Sequence, residues 1–283
     1  MSAPAFDDLE PGRATPGVDT SISGVDAGPG TFTPRPGRAP LARMVRNQTR
    51  MELVLMMRNA EQVMLSLIVP IGLLVVCTTV SFIEVDGDRA DFFVPGILAL
   101  AIMSAAFTSQ AIATGFDRHY GVLKRLGATA LPRSVLLGAK TLAVLLIELF
   151  QIVILCSVGL ALGWTPSGEP VTAVLSVVAL IGLGTAAFCG MAFLLAGTLR
   201  AMTTLAAANI IWFVLLGVGG IAFPLSEFGG ARELFELLPT AALSSGLRTV
   251  LADGEVVPWH LLLTLGTWAV VTLTAATATF RWE

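Results

Sequence analysis

Few side chains in this sequence could take part in catalysis, and none is spaced for it. The 283 residues include two histidines, His119 and His260, and three cysteines that stand apart from one another in apolar runs, Cys77, Cys156 and Cys189. Zinc sites need clustered ligands and disulfide frameworks need paired cysteines, so we expect neither. The Gly-x-x-x-x-Gly-Lys-Ser/Thr, His-Glu-x-x-His and Gly-x-Ser-x-Gly motifs are all missing. The sequence therefore predicts no catalytic residue, no metal ligand and no P-loop in this chain.

One ionisable residue stands inside an uncharged apolar stretch. Glu148 shares a helical face with Gln151, three residues later, and Gln110 occupies a similar depth in the preceding apolar run. Because a charge is costly in hydrocarbon, such residues usually face the interior of a helix bundle or a wet cavity. Two interpretations remain open: a polar spot on a substrate path or proton route, or an interhelical hydrogen bond that fixes helix register.

A short basic segment, residues 117–140, separates two long apolar runs and is called the basic island below. It holds five of the 17 Lys and Arg residues. Its centre predicts a short helix that Gly127 could cap and that Pro132 separates from the next helix. Positive residues that only set the orientation of a membrane protein need no such pattern of apolar residues and glycines, so we expect a docking surface. The alternative is that the charges only set the orientation. The residues assigned to this surface are Asp117, Arg118, His119, Tyr120, Gly121, Val122, Leu123, Lys124, Arg125 and Leu126.

The composition indicates which class of protein positions these residues. Hydrophobic residues make up 55% of the chain and charged residues 13%, against about 25% charged in soluble domains. Several uncharged stretches exceed the roughly 20 residues that a helix needs to cross a bilayer. The sequence predicts an all-α, polytopic membrane protein. Its six transmembrane helices are expected at about residues 63–83, 92–116, 141–164, 173–196, 203–223 and 259–280.

Two segments outside the spans have their own character. Residues 1–40 hold seven prolines and six glycines, which predicts a disordered tail, and the early acidic residues argue against a signal peptide. Residues 225–257, before the last span, carry two apolar stripes at helical spacing. We expect two short amphipathic re-entrant helices there, at the outer face, rather than an irregular loop.

Two helical faces carry a further pattern. Residues 41–58 place three arginines on one face, with apolar residues roughly opposite: Arg43, Arg46 and Arg50. This predicts an amphipathic helix on the inner membrane surface, the alternative being a solvated start to the first span. The fourth span has small residues four apart, which predict a close helix-packing face within the protomer or between copies: Gly182, Ala186 and Gly190.

The distribution of positive charge predicts the orientation. With six spans, 14 Lys and Arg residues fall on the side of the two termini and the basic island, and 3 fall on the other side. Because positive residues accumulate in cytoplasmic loops, both termini and the basic island are expected in the cytoplasm.

The chain resembles the permease subunits of ABC-2 type exporters over residues 41–283. The second span opens with Asp-Phe-Phe-Val-Pro-Gly-Ile at 91–97, and the basic island carries Gly-Phe-Asp-Arg at 115–118 and Gly-Val-Leu-Lys-Arg-Leu-Gly-Ala-Thr at 121–129. Within the family it resembles the daunorubicin-resistance-like drug-export permeases of actinobacteria. It departs from them at Ala130, where relatives often have proline, and near Asp117, where relatives commonly carry a glutamate.

The resemblance implies a set of partners. Two permeases, identical or sister chains, would associate with two cytosolic ATP-binding subunits that bind ATP and Mg²⁺, whereas this chain would hold no cofactor and hydrolyse nothing. The basic island would form the coupling helix, flanked by the 41–58 helix. The expected setting is the bacterial cytoplasmic membrane, with export of amphipathic drugs or lipids and no nucleic-acid partner. A proton-coupled secondary transporter using Glu148 and a non-transporting membrane assembly component are the alternatives.

Overall fold

The computed structural model describes residues 39–80, 88–129 and 131–280, and within these ranges the chain is helical with no strand. The helices are α1 (Leu41–Arg58), α2 (Ala60–Thr79), α3 (Arg89–Met103), a π-helical segment (Ser104–Ser109), α4 (Gln110–His119), α5 (Val122–Gly127), α6 (Arg133–Ala161), α7 (Pro170–Thr198), α8 (Ala201–Val218), a 3-10 segment (Leu225–Ala231), α9 (Arg232–Phe235), α10 (Pro239–Leu251) and α11 (Trp259–Thr279). The tail predicted over residues 1–40 lies outside the described residues except for its last two positions. The end of the first predicted span, 81–83, also lies outside them.

Within the described ranges, five helical runs are long and apolar enough to cross a membrane. They are Arg89–His119, Arg133–Ala161, Pro170–Thr198, Ala201–Val218 and Trp259–Thr279. Each reaches or approaches the roughly 20 residues that 30 Å of hydrocarbon requires. The apolar part of α2, Met64–Thr79, is shorter. The chain is therefore an all-helical, multi-pass integral membrane protein.

Two helices differ from their predicted bounds for local reasons. Helix α6 begins at Arg133, eight residues before the predicted membrane span starts at 141, and its N-cap is Pro132 with extended backbone, φ −68° and ψ 149°. Lys140 consequently lies inside α6. Helix α8 ends at Val218, five residues early, because Gly220 turns the chain with φ 69°, a conformation that glycine adopts without strain.

The run Arg89–His119 is the centre of the bundle. Its residues 97–103 are each at most 4% exposed, and it packs against α2, α6, α7, α8 and α10. Six residues in its middle, Ser104–Ser109, adopt the wider π-helical conformation, which often occurs at functional sites. Trp212 of α8 donates its indole N–H to Ser104 Oγ at 2.9 Å. The π-helical segment is thereby held to α8.

Helices α7 and α11 form an extensive contact. Only part of the predicted small-residue face of α7 lies close to α11. A Cβ atom placed on Gly190 would lie 2.8 Å from Thr272 Cβ of α11, whereas a Cβ on Gly182 would meet nothing within 4 Å. Ala186 is half-buried between them. Gly190 therefore lies at a close helix approach within the protomer. A packing role for the open side of Gly182 stays a prediction.

The segment before the last helix contains two short α-helices, and the second of them is a core element. Helix α10 packs among α3, α7 and α11, with Leu243 and Leu247 fully buried. The Arg248 guanidinium lies 3.9 Å from the centre of the Phe92 ring of α3. Burial lowers the pKa of Arg248 to about 10, so this side chain stays cationic at neutral pH. The predicted apolar stripe of α10 thus faces protein.

Candidate functional site at the basic island

The basic island begins where the central helix run ends. Helix α4 ends at His119, and Gly121 takes φ 70° and ψ 15° before α5 starts at Val122. A Cβ on Gly121 would meet nothing within 4 Å, so glycine is favoured by the left-handed backbone and not by lack of space. The Arg118 guanidinium donates to the Ala196 carbonyl oxygen at 2.8 Å. This bond attaches the end of α4 to the last turns of α7.

Helix α5 has one buried anchor and an exposed outer face. Leu123 is 0% exposed and belongs to the main hydrophobic core. Tyr120 is 69% exposed, and Val122, Lys124 and Arg125 are exposed beside it. The segment therefore presents apolar and cationic groups together on a helix that Leu123 anchors in the core.

The remaining assigned residues complete this surface. The rings of Phe116 and Tyr120 stack with centroids 6.0 Å apart, and the His119 ring lies edge-on to Tyr120 at 5.2 Å. Leu126 is half-buried and packs against the core. The structure thus places residues 117–126 in one compact turn and helix.

A buried ion cluster joins the two ends of the basic island to α1. Lys140 Nζ is 3.0 Å from Glu52 Oε2 and 2.9 Å from Asp117 Oδ2. Gln48 Nε2 donates to the other oxygen of Glu52 at 2.9 Å. The cluster joins α1, the end of α4 and the start of α6. Sequence reasoning assigned no role to Glu52, although a carboxylate among the arginines of α1 was a usable signal.

Helix α1 has three faces instead of two. Arg43, Arg46 and Arg50 are exposed. The face toward α6 is polar and buried, and comprises Gln48, Thr49 and Glu52. A third face is apolar and exposed and includes Met51 and Leu55. The side of α1 opposite the arginines is therefore not one apolar face. Its polar residues contact α6, and its apolar residues remain exposed.

The three intramembrane polar residues do not meet. Glu148, 1% exposed, lies within hydrogen-bond distance of the Thr185 hydroxyl of α7, whereas Gln151 donates to the Ser66 carbonyl oxygen of α2. Gln110 is buried in α4, and its side-chain oxygen has no partner among the described residues.

The Glu148 contact has a simple proton count. The Thr185 hydroxyl carries one proton, yet its oxygen lies within hydrogen-bond distance of both Glu148 and the Ile181 carbonyl oxygen, the latter at 2.7 Å. A carboxylic acid at Glu148 satisfies both contacts, because the acid donates to the hydroxyl and the hydroxyl donates to the carbonyl. The geometry fits the interhelical hydrogen bond considered above.

An open groove lies between α2, the π-helical segment and α8. Its volume is about 490 Å³. The walls are mainly apolar and include Leu65, Val69 and Phe213, with Thr108 and Asn209 among the polar groups. Glu148 is not among its lining residues. The groove could hold an elongated apolar group with a small polar part.

Comparison with protein families identifies the membrane domain. The model of the ABC-2 type transporter family matches residues 46–252, which is more than two thirds of the chain. The match includes most of α1, the basic island, Glu148 and α10. No curated protein sequence matches the chain. The chain therefore belongs to the ABC-2 type transporter family, whose membrane domain fits a permease subunit of an ABC transporter.

Proposed function

We propose that this chain is the permease subunit of an ATP-driven exporter, in which two permeases, identical or sister chains, bind two cytosolic ATP-binding subunits. Those subunits bind ATP and Mg²⁺ and hydrolyse the nucleotide. The observation that carries the proposal is the conformation of the basic island: Gly121 redirects the chain out of the central helix run into α5. Helix α5 exposes apolar and cationic side chains over a buried leucine.

The anchoring of α5 supports a coupling role. Leu123 fixes α5 in the core, and Arg118 attaches the adjoining turn to α7. A displacement of α5 by a partner therefore acts directly on α4 and α7, because packed interiors transmit shifts instead of absorbing them. ATP binding can drive transport only if it favours one of two arrangements of these helices.

The proposed topology adds α2 to the five long helices. Helix α2 has 20 residues, about 30 Å at 1.5 Å per residue, which is just long enough for a sixth span. Six spans place both termini and the basic island in the cytoplasm of a bacterium, by the count of 14 positive residues against 3. The chain then divides into a tail, 1–40, and an ABC-2 type membrane domain, 41–283. In this arrangement α9 and α10 are re-entrant helices at the outer face.

The groove between α2 and α8 supports an amphipathic substrate, a drug or a lipid. Its apolar walls bind hydrocarbon, and the Thr108 hydroxyl, buried and without a hydrogen-bond partner among the described residues, offers a polar contact. Exposed Ile210 and Phe213 on α8 continue this surface, which a second permease copy would cover. Such a substrate fits the daunorubicin-resistance-like drug exporters that the sequence resembles.

The test is capture of the ATPase by the full-length chain. A C-terminally tagged chain is purified from its own host in detergent, and the bound subunit must be a P-loop ATPase with vanadate-sensitive hydrolysis. We expect the double variant Lys124→Glu/Arg125→Glu, and separately Gly121→Pro, to reduce the recovered ATPase about tenfold, equal to a loss of about 1.4 kcal/mol in binding.

A matched charge reversal is available at Arg232, which is exposed in α9 and forms an i,i+4 ion pair with Glu236. An exposed pair of this kind contributes about 0–1 kcal/mol, so Arg232→Glu should fold and retain the ATPase. Normal binding and transport in both island variants would rule out the coupling role. Loss of transport in Glu148→Gln with island variants unaffected would favour the proton-coupled transporter.

A further inference from the structure

Lys140 lies at the meeting point of three helices that are distant in sequence. Its side chain is 5% exposed, and its ammonium group contacts one carboxylate from α1 and one from the end of α4. Glu52 precedes it by 88 residues, and Asp117 precedes it by 23. A buried ammonium ion is retained only where such partners compensate its desolvation.

Both carboxylates are themselves held in place. Gln48, one turn before Glu52, donates to the carboxylate oxygen that Lys140 does not contact. Asp117 is followed by Arg118, whose bond to Ala196 fixes the end of α4. Thr49 of α1 adds a hydrogen bond to the Ala139 carbonyl oxygen, next to Lys140, at 3.4 Å. The inward face of α1 therefore makes directional polar contacts, whereas an apolar face could slide along α6.

The two carboxylates of the ion cluster differ in exposure, which favours a connection between α1 and α4 over a simple core contact. The Glu52 carboxylate is nearly inaccessible, but about a third of the Asp117 side chain is exposed, directly before the exposed surface of α5. One ammonium group thus connects a buried carboxylate of α1 to a carboxylate at the border of the basic island. Among the helix contacts within the described ranges, α1 packs chiefly on α6, and Lys140 extends this contact to α4.

We propose that Lys140 is a positioning residue that joins α1 to the end of α4, so that α1 and the basic island move as one body. The further consequence, that a partner bound at the island also moves α1, rests on the proposed function. Two hydrogen-bonded ion contacts on one ammonium group suit this role, because they weaken steeply when their geometry is disturbed.

The first measurement needs only the full chain in lipid nanodiscs. Spin labels at two exposed positions, Arg46→Cys and Tyr120→Cys, report the distance between α1 and the island by pulsed electron resonance, after replacement of the three native cysteines. The primary variant is Glu52→Leu, which removes one ion contact and leaves Lys140 paired with Asp117. We expect its distance distribution to broaden clearly relative to the parent, as α1 opens locally.

A second variant keeps the test valid where a single change harms folding. Glu52→Gln/Asp117→Asn/Lys140→Met removes all three charges together, so no buried charge is left unpaired. The control is Gln151→Leu on the same helix, which removes the buried hydrogen bond to α2 and should leave the label distance unchanged. An unchanged label distance distribution in both Glu52→Leu and the triple variant would show that Lys140 does not join α1 to the end of α4.

The second measurement uses the complex with the ATP-binding subunit. We expect Glu52→Leu, which lies outside the basic island, to bind the subunit and hydrolyse ATP while transport per ATP falls about tenfold, within the usual range of coupling free energies. A residue that merely stabilised the fold would change protein yield and leave this ratio intact. If no ATPase binds the parent chain but the label distance distribution broadens in Glu52→Leu, the proposed function is wrong and the connection of α1 to α4 through Lys140 is supported. If the ATPase binds and transport per ATP is unchanged in Glu52→Leu, the contact of Lys140 with α1 has no role in coupling.

Discussion

Replacing Gly190 by alanine should destabilise the chain, whereas the same replacement at Gly182 should not. Both glycines lie in α7, so any gain in helix propensity, about 1 kcal/mol at most, applies to both variants. They differ in what the new methyl group meets. At Gly190 it would lie 2.8 Å from Thr272 Cβ and 2.9 Å from the Leu273 backbone nitrogen, and at Gly182 it would meet nothing within 4 Å.

The Thr272 side chain has little freedom to move away. It is β-branched, and its hydroxyl donates to the Trp268 carbonyl oxygen at 2.7 Å, so relief requires α7 and α11 to separate. Overpacking of this kind costs about 1–3 kcal/mol. Because the propensity gain cancels in the comparison, Gly190→Ala should be less stable than Gly182→Ala by about that amount.

The assay is unfolding of the purified full chain in mixed detergent micelles, followed by circular dichroism, with oligomeric state measured by light scattering. Equal stability of the two variants would refute the close approach of α7 to α11. A lower stability for Gly182→Ala, accompanied by loss of a dimer, would show instead that the open side of Gly182 is a contact between copies.

Two further outcomes follow from the site. Glu148→Gln should keep transport, and its stability should stay within about 1.5 kcal/mol of the parent, the usual net value of one hydrogen bond, because an amide can still bond to Thr185. A proton-coupled transporter would lose transport, and a pH-gradient-driven uptake assay in vesicles separates the two. Leu123→Ala should cost about 2–5 kcal/mol, measured as faster hydrogen exchange over residues 118–129 and lower ATPase recovery. The exposed neighbour serves as the control for exchange: Val122→Ala should leave the exchange rate unchanged, and equal exchange in the two variants would contradict the anchoring of α5.

The features that depend on composition and local pattern could be predicted from sequence. The apolar runs predicted a helical membrane protein, which the structure confirms with five long helices, and the motif of the second span and basic island predicted the ABC-2 family, which the family match confirms. Helix α1 occupies Leu41–Arg58, the range that its arginine spacing predicts. Such signals lie within one or two helical turns, so they can be read without knowing the fold.

The features that depend on distant contacts could not be predicted in this way. Apolar residues that face lipid and apolar residues that face protein look alike in sequence, so the packing of α10 against α3, α7 and α11 could not be predicted from its apolar stripe. The polar face of α1 could not be explained from the sequence, because Glu52 pairs with Lys140 of a distant helix. The π-helical conformation of Ser104–Ser109 has no composition that distinguishes it from an ordinary α-helical turn.

The ion cluster at Lys140 also sets an order of events in biosynthesis. Glu52 leaves the ribosome 88 residues before Lys140, and Asp117 leaves it between the two. The buried face of α1 therefore has no ammonium partner while α2, α3 and α4 are being synthesised. Nascent chains that end before residue 140 contain both carboxylates but lack the ammonium group that pairs with them in the folded chain. The ion contacts that hold α1 on α6 therefore form only after the first two turns of α6 have been made.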